Sequence, residues 1–395
     1  MNSLTQRAKR VLSPTSLEPL GLEVERADGV YLFDPNGKKY IDLISGISVS
    51  NIGHGNSVVK HAIVDQLEKN AHVMVYGEMM LPTQVEFAEY LTSLLPKGLD
   101  SVYFVNSGSE AVEGAMKLAK RFTGRQNILS LNKAYHGSSH GALSVMGDEY
   151  FKAPFRPLLP GISQIEANSI DDLSFIDENT AAVFMEPIQG EAGINILTKE
   201  YLMAASQRCK EVGALLVFDE IQTGIGRTGP LFNFQLIDVV PDVLLTSKAL
   251  GGGLPLGAFI SSTEIMSCFA EDPVLGHITT FGGNPICCVA ANAALKFLVE
   301  SKLMDEVPSK ETLIRQKLQH AEILEIRGTG LLLAAQFKSA KFLQSVIDRA
   351  IELGVVTDWF LFCDSAMRIA PPLTITMNEL ENACDIIIQA INDQA

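Results

Sequence analysis

The chain has 395 residues, and its 31 Lys and Arg against 46 Asp and Glu give a formal net charge of −15. With 47% hydrophobic and 19% charged residues, disorder is excluded as the general state, because burial of the apolar surface can offset the conformational entropy of the chain. The acidity and the absence of a Lys/Arg-rich block argue against nucleic acid as a partner, and no window holds the roughly 18 apolar residues of a membrane span.

The first predicted elements are an arm and a hairpin. Three basic residues among the first ten are not followed by an apolar run, which predicts a surface arm rather than a secretory signal or transit peptide. Alternating stretches at 30–33 and 39–43 flank Asp34-Pro35-Asn36-Gly37, a turn sequence typical of a hairpin. We expect residues 1–45 to form this arm and hairpin and to join a small domain.

Residues 46–290 are predicted to form a large α/β domain. Short β-branched runs end at polar or Gly-rich turns and alternate with helix-period stretches, as in a mostly parallel sheet. The expected strands are 102–105, 128–131, 181–185, 215–218, 243–246 and 258–260. The expected helices are 57–70, 84–95, 109–121, 200–212 and 285–300.

Residues 291–395 have a different pattern, which predicts a smaller α+β domain. The expected helices are 309–320, 340–353 and 378–393, and the expected strands are 331–337 and 367–370. Six cysteines are scattered along the chain without a C-x-x-C spacing, so neither a zinc ribbon nor a disulfide framework is indicated. This cysteine usage favours a reducing cytoplasm.

Two predicted strands end in residues that carry chemistry. The strand 215–218 is followed by Asp219 and Glu220, and the strand 243–246 by Ser247 and Lys248. Ligands of open α/β sheets bind beyond the carboxyl ends of the strands, so this carboxylate and this amine are expected at one binding edge. A lysine there is either a Schiff-base nucleophile or a surface residue at a strand end.

A third strand end has the pattern of an anion site. Residues 106–110, Asn-Ser-Gly-Ser-Glu, join a strand to a helix, whose N-terminal amides can hold a phosphate. The same Ser107-x-x-Glu110 spacing is a capping box, which needs no ligand. A phosphate cradle, an amine and a carboxylate together are nevertheless what pyridoxal phosphate requires, because the acid keeps the pyridine nitrogen protonated.

The chain resembles the class III pyridoxal-phosphate aminotransferases of fold type I, particularly the acetylornithine, ornithine and 4-aminobutyrate group. The resemblance extends over nearly the whole chain, from Asp34-x-x-Gly37 to Arg368-x-x-Pro371-Pro372. Its most specific stretches are residues 106–111, 186–193, 219–229, 247–253 and 280–285. It implies a large domain with a mostly parallel sheet, a smaller α+β domain, and pyridoxal 5′-phosphate as the cofactor.

The resemblance also implies roles for individual residues. Lys248 would bond covalently to the cofactor and then move a proton between substrate and cofactor, while Asp219 would pair with the pyridinium nitrogen. The other implied cofactor contacts are Ser107, Gly108 and Ser109 to the phosphate, Tyr135 and His136 at the ring, Gln222 to the phenolic oxygen, and Thr280 to the phosphate of a neighbouring subunit. A homodimer with shared active sites follows from the last contact.

Three positions are implied to bind substrate. Arg368 resembles the arginine that holds a substrate α-carboxylate bidentately, a task suited to a planar guanidinium. Glu191 resembles the glutamate that pairs with this arginine and moves aside when glutamate or 2-oxoglutarate enters, and Thr279 lies beside the shared phosphate contact. The alternative for Arg368 is an ordinary ion pair.

One position departs from the family pattern. Relatives that act on ornithine derivatives usually have an arginine after the aromatic-His-Gly step, whereas this chain has Ser138. The second carboxylate contact of an ornithine-type donor is therefore without its usual residue. His140, if protonated, is a candidate replacement, and a structural histidine is the alternative.

These observations predict an aminotransferase that moves the terminal amino group of an ω-amino compound to 2-oxoglutarate by a ping-pong mechanism. An acetylornithine-type donor is the first choice, with 4-aminobutyrate, ornithine or another diamine as alternatives. An aminomutase or a decarboxylase on the same scaffold is the rival reaction class, and a non-catalytic cofactor-binding module is the rival outside catalysis. A nicotinamide oxidoreductase is disfavoured because the G-x-G-x-x-G spacing is absent.

Overall fold

The computed structural model describes residues 4–17 and 19–395, so the first three residues of the predicted arm and Glu18 lie outside the described residues. The arm itself contains a short helix with no buried residue. The N-terminal elements are α1 (Leu4–Val11), β1 (Arg26–Asp28), β2 (Tyr31–Phe33), β3 (Lys39–Asp42), α2 (Ser45–Ser48), α3 (Ser57–Leu67) and α4 (Pro82–Ser93). The predicted hairpin is confirmed as β2 and β3, which pair antiparallel.

The middle of the chain alternates strands and helices, as the sequence predicts. Its elements are β4 (Ser101–Val105), α5 (Gly108–Thr123), β5 (Asn127–Leu131), α6 (His140–Ser144), α7 (Glu149–Lys152), β6 (Ile162–Ile165), β7 (Thr180–Met185), β8 (Ile188–Gln189), β9 (Asn195–Ile196), α8 (Lys199–Val212), β10 (Leu215–Asp219), α9 (Phe234–Ile237), β11 (Val243–Thr246), β12 (Gly257–Ser261), α10 (Thr263–Met266) and α11 (Pro285–Glu300). All six predicted strands are present. The edge strand β6 was not predicted.

The seven-stranded sheet has the order β4-β12-β11-β10-β7-β5-β6. Its strands are parallel except β12, which runs antiparallel to both β11 and β4. The connection from β11 to β12 contains only the short 3₁₀ helix Lys248–Gly251, so the chain turns back along the sheet instead of crossing over through a helix. Strands β7, β10 and β11 are buried along their whole length, as expected for a sheet covered on both faces.

The C-terminal part consists of α12 (Leu303–Lys317), β13 (Glu325–Thr329), β14 (Leu332–Gln336), α13 (Ala340–Leu353), β15 (Val355–Val356), β16 (Trp359–Phe360), β17 (Cys363–Ile369) and α14 (Met377–Asn392). Strands β13, β14, β17 and β16 form an antiparallel sheet, and β15 pairs in parallel with β3 of the hairpin. The predicted bounds 309–320 were wrong for α12. Pro308 lies inside that helix, where it removes one backbone hydrogen bond without ending the helix.

A continuous apolar core joins the two parts of the chain. Helix α11 packs on α3 and α4, and helices α13 and α14 pack on each other beside the C-terminal sheet. Of the helices within residues 4–17 and 19–395, none has the length and hydropathy needed to cross a membrane.

Candidate active site

The carboxyl ends of β10 and β11 meet at one edge of the large sheet. Asp219 lies opposite Leu245 in the parallel register, so the carboxylate and the lysine that follows β11 lie close together. A cavity of about 200 Å³ opens at this edge, and both Asp219 and Lys248 line it. Its other lining residues include six of the predicted cofactor contacts, namely Ser107, Gly108, Ser109, Tyr135, His136 and Gln222.

Lys248 is held in an unusual backbone conformation. Its φ is +48°, a left-handed value that costs a residue with a side chain on the order of 1 kcal/mol, and it begins the 3₁₀ helix after β11. Burial lowers the pKa of Lys248, the positive charge of Arg368 lowers it further, and the carboxylate of Glu191 opposes the shift. A neutral, nucleophilic amine is therefore easier to form here than at an exposed lysine.

Asp219 is fixed by two hydrogen bonds. Its Oδ2 lies 2.7 Å from Nδ1 of His136, and its Oδ1 accepts from the backbone N–H of Ile221 at 3.0 Å. Burial would lower the pKa of His136, but the hydrogen bond and charge of Asp219 outweigh it and leave that pKa raised. These hydrogen bonds hold the Asp219 carboxylate at the strand end, where it can face a protonated ring nitrogen.

The N-terminus of α5 forms a turn with small residues. Ser107 is the N-cap, and its side chain accepts from the N–H of Glu110 at 3.2 Å. The Glu110 carboxylate returns to the N–H and side-chain amide of Asn106 instead of Ser107, so only half of the predicted capping box forms. The N-terminal amides of this 16-residue helix lie at the cavity and suit an anion.

Glycine is required where a second turn approaches the first. At Gly137, which has a φ of +126°, an added Cβ would lie 2.1 Å from Oγ of Ser109. The N–H of Ser138 donates to the same Ser109 oxygen at 3.2 Å. The turn that follows Tyr135 and His136 is thereby fixed against the start of α5.

The residues of this cavity fit pyridoxal 5′-phosphate. Gln222 lines the cavity, and its buried side-chain nitrogen has no hydrogen-bond partner among the described residues, so it has a donor free for a ring oxygen. The amides of α5 suit a phosphate, and Asp219 suits a pyridinium nitrogen. Ser107 and Ser109 bring hydroxyl groups to the same wall.

An ion-paired cluster around Arg368 also lies near Lys248, and its residues do not belong to β10 or β11. Arg368 on β17 is 2% exposed and donates from both terminal nitrogens to the two carboxylate oxygens of Glu191, each at 3.2 Å. Its Nε donates to Asp358 at 2.8 Å. Burial opposes the charge of both partners, but the mutual attraction leaves the pKa of Glu191 lowered and that of Arg368 raised. This arginine can exchange one carboxylate for another.

The remaining predicted site residues lie outside the cavity of this chain. The Oγ1 of Thr279 accepts from the side-chain amide of Asn106 at 2.9 Å, in a neighbouring cavity, and Thr280 is exposed. Ser138 is exposed, with its hydroxyl 3.1 Å from that of Tyr135. His140 lies 2.9 Å from the carbonyl oxygen of Pro157.

Two acids of this region, buried Glu186 and partly buried Asp358, had no predicted role. Glu186 accepts the N–H groups of Tyr135 and Gly190, both at 2.9 Å, and so joins the two turns on either side of the cavity. Its position directly after β7 is the same strand-end signal that identified Asp219. Asp358, the second partner of Arg368, belongs to no recognised motif. It lies ten residues before the arginine, just ahead of β16.

The chain is similar to proteins of known class. A family model described as Aminotransferase class-III matches residues 12–391. The acetylornithine aminotransferase of Methanosarcina acetivorans is 38% identical over 394 residues, covering 97% of this chain and 94% of the relative. That of Clostridium acetobutylicum is 35% identical over 382 residues, covering 93% and 95%.

Solved structures agree with this relationship. A transaminase from the marine bacterium Virgibacillus superposes with a TM-score of 0.94 at 26% identity and covers 99% of each chain. The ornithine aminotransferase of Toxoplasma gondii superposes with a TM-score of 0.91 at 29% identity, covering 98% of this chain and 94% of that one.

Proposed function

Because the chain belongs to the class-III aminotransferase family, we propose that it transfers the terminal amino group of an ω-amino compound to 2-oxoglutarate in two alternating half-reactions. The enzyme is a pyridoxal-phosphate-dependent aminotransferase. An acetylornithine-type amine is the first-choice donor, since the relatives at 35–38% identity carry that name. 4-Aminobutyrate, ornithine and other diamines are the alternative donors.

The bidentate ion pair between Arg368 and Glu191 is the observation that supports 2-oxoglutarate as the amino-group acceptor. The terminal amino group of an ω-amine lies on a carbon without a carboxylate, so such a donor enters while Glu191 covers the guanidinium. A 2-oxo acid presents its own carboxylate to Arg368 and displaces Glu191. One site can thus serve two substrates of different charge.

The cofactor side follows from the sheet edge. Pyridoxal 5′-phosphate, when bound, supplies an electron sink for the pair left when a proton leaves the substrate carbon. Lys248 would hold it covalently and would then accept that proton, a role for which its lowered pKa is suited. Asp219, oriented by its hydrogen bond to His136, would pair with the ring nitrogen, and Gln222 would donate to the ring oxygen.

The other cofactor contacts are assigned by position. Tyr135 would contact the ring, and the start of α5 with Ser107, Gly108 and Ser109 would bind the phosphate.

We extend the proposal to a homodimer with shared active sites. Ile278 and Phe281 flank Thr279 and Thr280 and are 49% and 57% exposed, which is typical of a segment covered by a partner. Thr280 then contacts the phosphate of the second subunit. Light scattering that gives twice the 42.9 kDa chain mass supports the dimer, and a monomer of full activity contradicts it.

A cytoplasmic location completes the proposal. All six cysteines are free, and the closest neighbours in sequence, Cys287 and Cys288, are unbridged. Free buried thiols are stable in a reducing compartment. Fractionation of cells that produce the protein tests the location.

A half-reaction screen tests the function. Holoenzyme is mixed with one amine at a time, without an oxo acid, and the visible absorbance of the bound cofactor is followed. We expect one ω-amine and glutamate to remove the absorbance, and 2-oxoglutarate to restore it. Turnover that proceeds equally well without any oxo acid indicates the rival aminomutase.

A further inference from the structure

The turn that carries Glu191 has a strained backbone. It spans residues 190–194 and joins β8 to β9, strands of two residues each. Two consecutive residues of the turn, Gly193 and Ile194, have φ values of +83° and +63°. A β-branched residue such as Ile194 is unfavourable in this left-handed region and stays there only where surrounding contacts hold it. A two-residue ladder is too short for that, so contacts from outside the hairpin must stabilise the turn.

One of these outside contacts comes from Arg327 on β13. Its Nε donates to the backbone oxygen of Gly193, 134 positions earlier in the chain, at 2.8 Å. A hydrogen bond from a charged donor is stronger than one between neutral groups. A Cβ added at Gly193 would lie 2.8 Å from Nη2 of Arg327 and 2.9 Å from Sγ of Cys363. The turn is therefore packed closely against both β13 and β17.

Arg327 is itself fixed in place. Its Nη2 donates to Oε1 of Gln336 at 2.9 Å, and its Nη1 pairs with Glu325 at 2.5 Å. The side-chain amide of Gln336 donates in turn to the backbone oxygen of Phe337 at 2.8 Å. Because all three guanidinium nitrogens have partners, Arg327 ties the turn to a fixed point on the C-terminal sheet.

Glu191 is held from the other side by the segment after β16. The N–H of Phe362 donates to the backbone oxygen of Glu191 at 2.9 Å, and the N–H of Leu361 donates to its carboxylate at 3.1 Å. Arg327 lines a separate cleft of about 580 Å³ beside the hairpin and is not among the residues that line the cavity of Lys248. Any influence of Arg327 on the active site must therefore pass through the turn.

We propose that Arg327 is a positioning residue, which holds the turn at Gly193 and thereby keeps Glu191 over Arg368. It sets the preference of the site between the terminal amine of a donor and substrates with an α-carboxylate. The inference rests on the proposed function and adds a residue that controls the same site from outside it.

The expected effect has opposite signs for the two substrates. Glu191 and a substrate carboxylate compete for Arg368, so affinity for the carboxylate increases with the fraction of molecules in which Glu191 is displaced. Loosening the turn raises this fraction. The terminal amine is disfavoured by the same change, because its carbon bears no carboxylate and the uncovered guanidinium beside it stays unpaired.

The test replaces Arg327 by methionine, which keeps the length of the side chain and removes all three contacts. In half-reactions of the holoenzyme, Arg327→Met should raise kcat/KM for 2-oxoglutarate about 3- to 10-fold. It should lower kcat/KM for the ω-amine that reacts with wild type by about the same factor. Arg327→Lys, which keeps one donor, should lie between wild type and the methionine variant.

The matched control is Glu325→Gln, which removes the ion pair of Arg327 but leaves its bond to Gly193. Both kcat/KM values should stay within about 2-fold of wild type, because this pair is exposed and contributes little. General damage to the fold would impair both substrates together. An unchanged or lowered kcat/KM for 2-oxoglutarate in Arg327→Met therefore overturns the proposal.

A second background separates this inference from the function on which it rests. Glu191→Gln weakens the cover on Arg368 directly and should by itself raise kcat/KM for 2-oxoglutarate. Arg327→Met added to Glu191→Gln should give no further increase, because both substitutions act on the same step. If Glu191→Gln raises the value and Arg327→Met does not, only the role of Arg327 is refuted. If neither raises it, displacement of Glu191 is refuted as well.

Binding without reaction gives an independent measurement. Trp359 is the only tryptophan of the chain, and its backbone oxygen accepts from Arg368 at 3.2 Å. Its fluorescence in the holoenzyme is followed during titration with glutarate, a dicarboxylate that has no oxo group to react. The Kd should fall about 3- to 10-fold in Arg327→Met and stay unchanged in Glu325→Gln. An unchanged Kd in Arg327→Met overturns the proposal whatever the activity of the variant.

Discussion

The two halves of the active site are built in different ways. The sheet-edge half, with Asp219 and Lys248, comes from adjacent parallel strands whose ends must meet. The arginine half joins Glu191 to Asp358 and Arg368 across more than 160 residues of chain. A short motif therefore determines the cofactor chemistry, whereas the substrate preference depends on long-range packing that can change without altering the motif.

The strongest test of the sheet-edge half is removal of its amine. Lys248→Ala should reduce kcat by about 10³-fold or more, since both the covalent bond and the proton carrier are lost. The measurement is steady-state activity together with the visible absorbance of the purified protein. A variant that retains wild-type absorbance and rate shows that another residue has this role.

The second test exchanges a carboxylate for an amide. Asp219→Asn should lower kcat by about 10²-fold, because the ring nitrogen loses its counter-charge and His136 loses its partner. Asp242→Asn is the matched control, since this aspartate bonds the N–H of Leu216 at the opposite end of β10. Equal losses of activity in the two variants would indicate a structural effect only.

A smaller effect is expected in the arginine half. Arg368→Lys should raise the KM for 2-oxoglutarate about 10- to 100-fold, because an ammonium cannot form the bidentate contact. The KM of an amine donor without a carboxylate should stay within about 2-fold, because such a donor makes no use of the guanidinium. Parallel changes in both constants would mean that Arg368 only supports the fold.

The smallest effect concerns the acid that links two turns of the cavity. Burial, with the nearby charge of Asp219 adding to it, raises the pKa of Glu186 to about 7, although His136 opposes this. The folded protein then binds more protons at Glu186 than the unfolded chain between about pH 4.5 and 7. This contribution to the free energy of unfolding is present at low pH and is lost as the pH rises towards 7.

Glu186→Gln removes that titration. In urea unfolding at pH 5, 6 and 7, the stability of wild type relative to the variant should fall as the pH rises. The amide also loses one backbone contact, to Tyr135 or Gly190, and this gives a constant offset. A stability difference that rises with pH contradicts the assignment.

The sequence predicted the strands and strand-end residues that local sequence patterns determine. β-Branched runs and their polar ends identified β10 and β11, and hence the meeting of Asp219 with Lys248. The direction of β12 was not predictable from its own residues, because it depends on the short connection before it. The ring contact between Phe151 and Phe362 was missed for a different reason, because these apolar residues lie more than 200 positions apart. The domain bounds at 45 and 290 remain predictions.

The position of β12 has a consequence for synthesis of the chain. Among the residues that the structure describes, strand β4 pairs only with β12, and Val105 is paired with Gly257, roughly 150 residues later in the chain. At a translation rate of about 5–20 residues per second, β4 and the turn at Ser107 remain without that neighbour for about 8–30 s. Any ribosome-bound fragment that ends before β12 therefore exposes an unpaired strand edge, for which a chaperone is a natural partner.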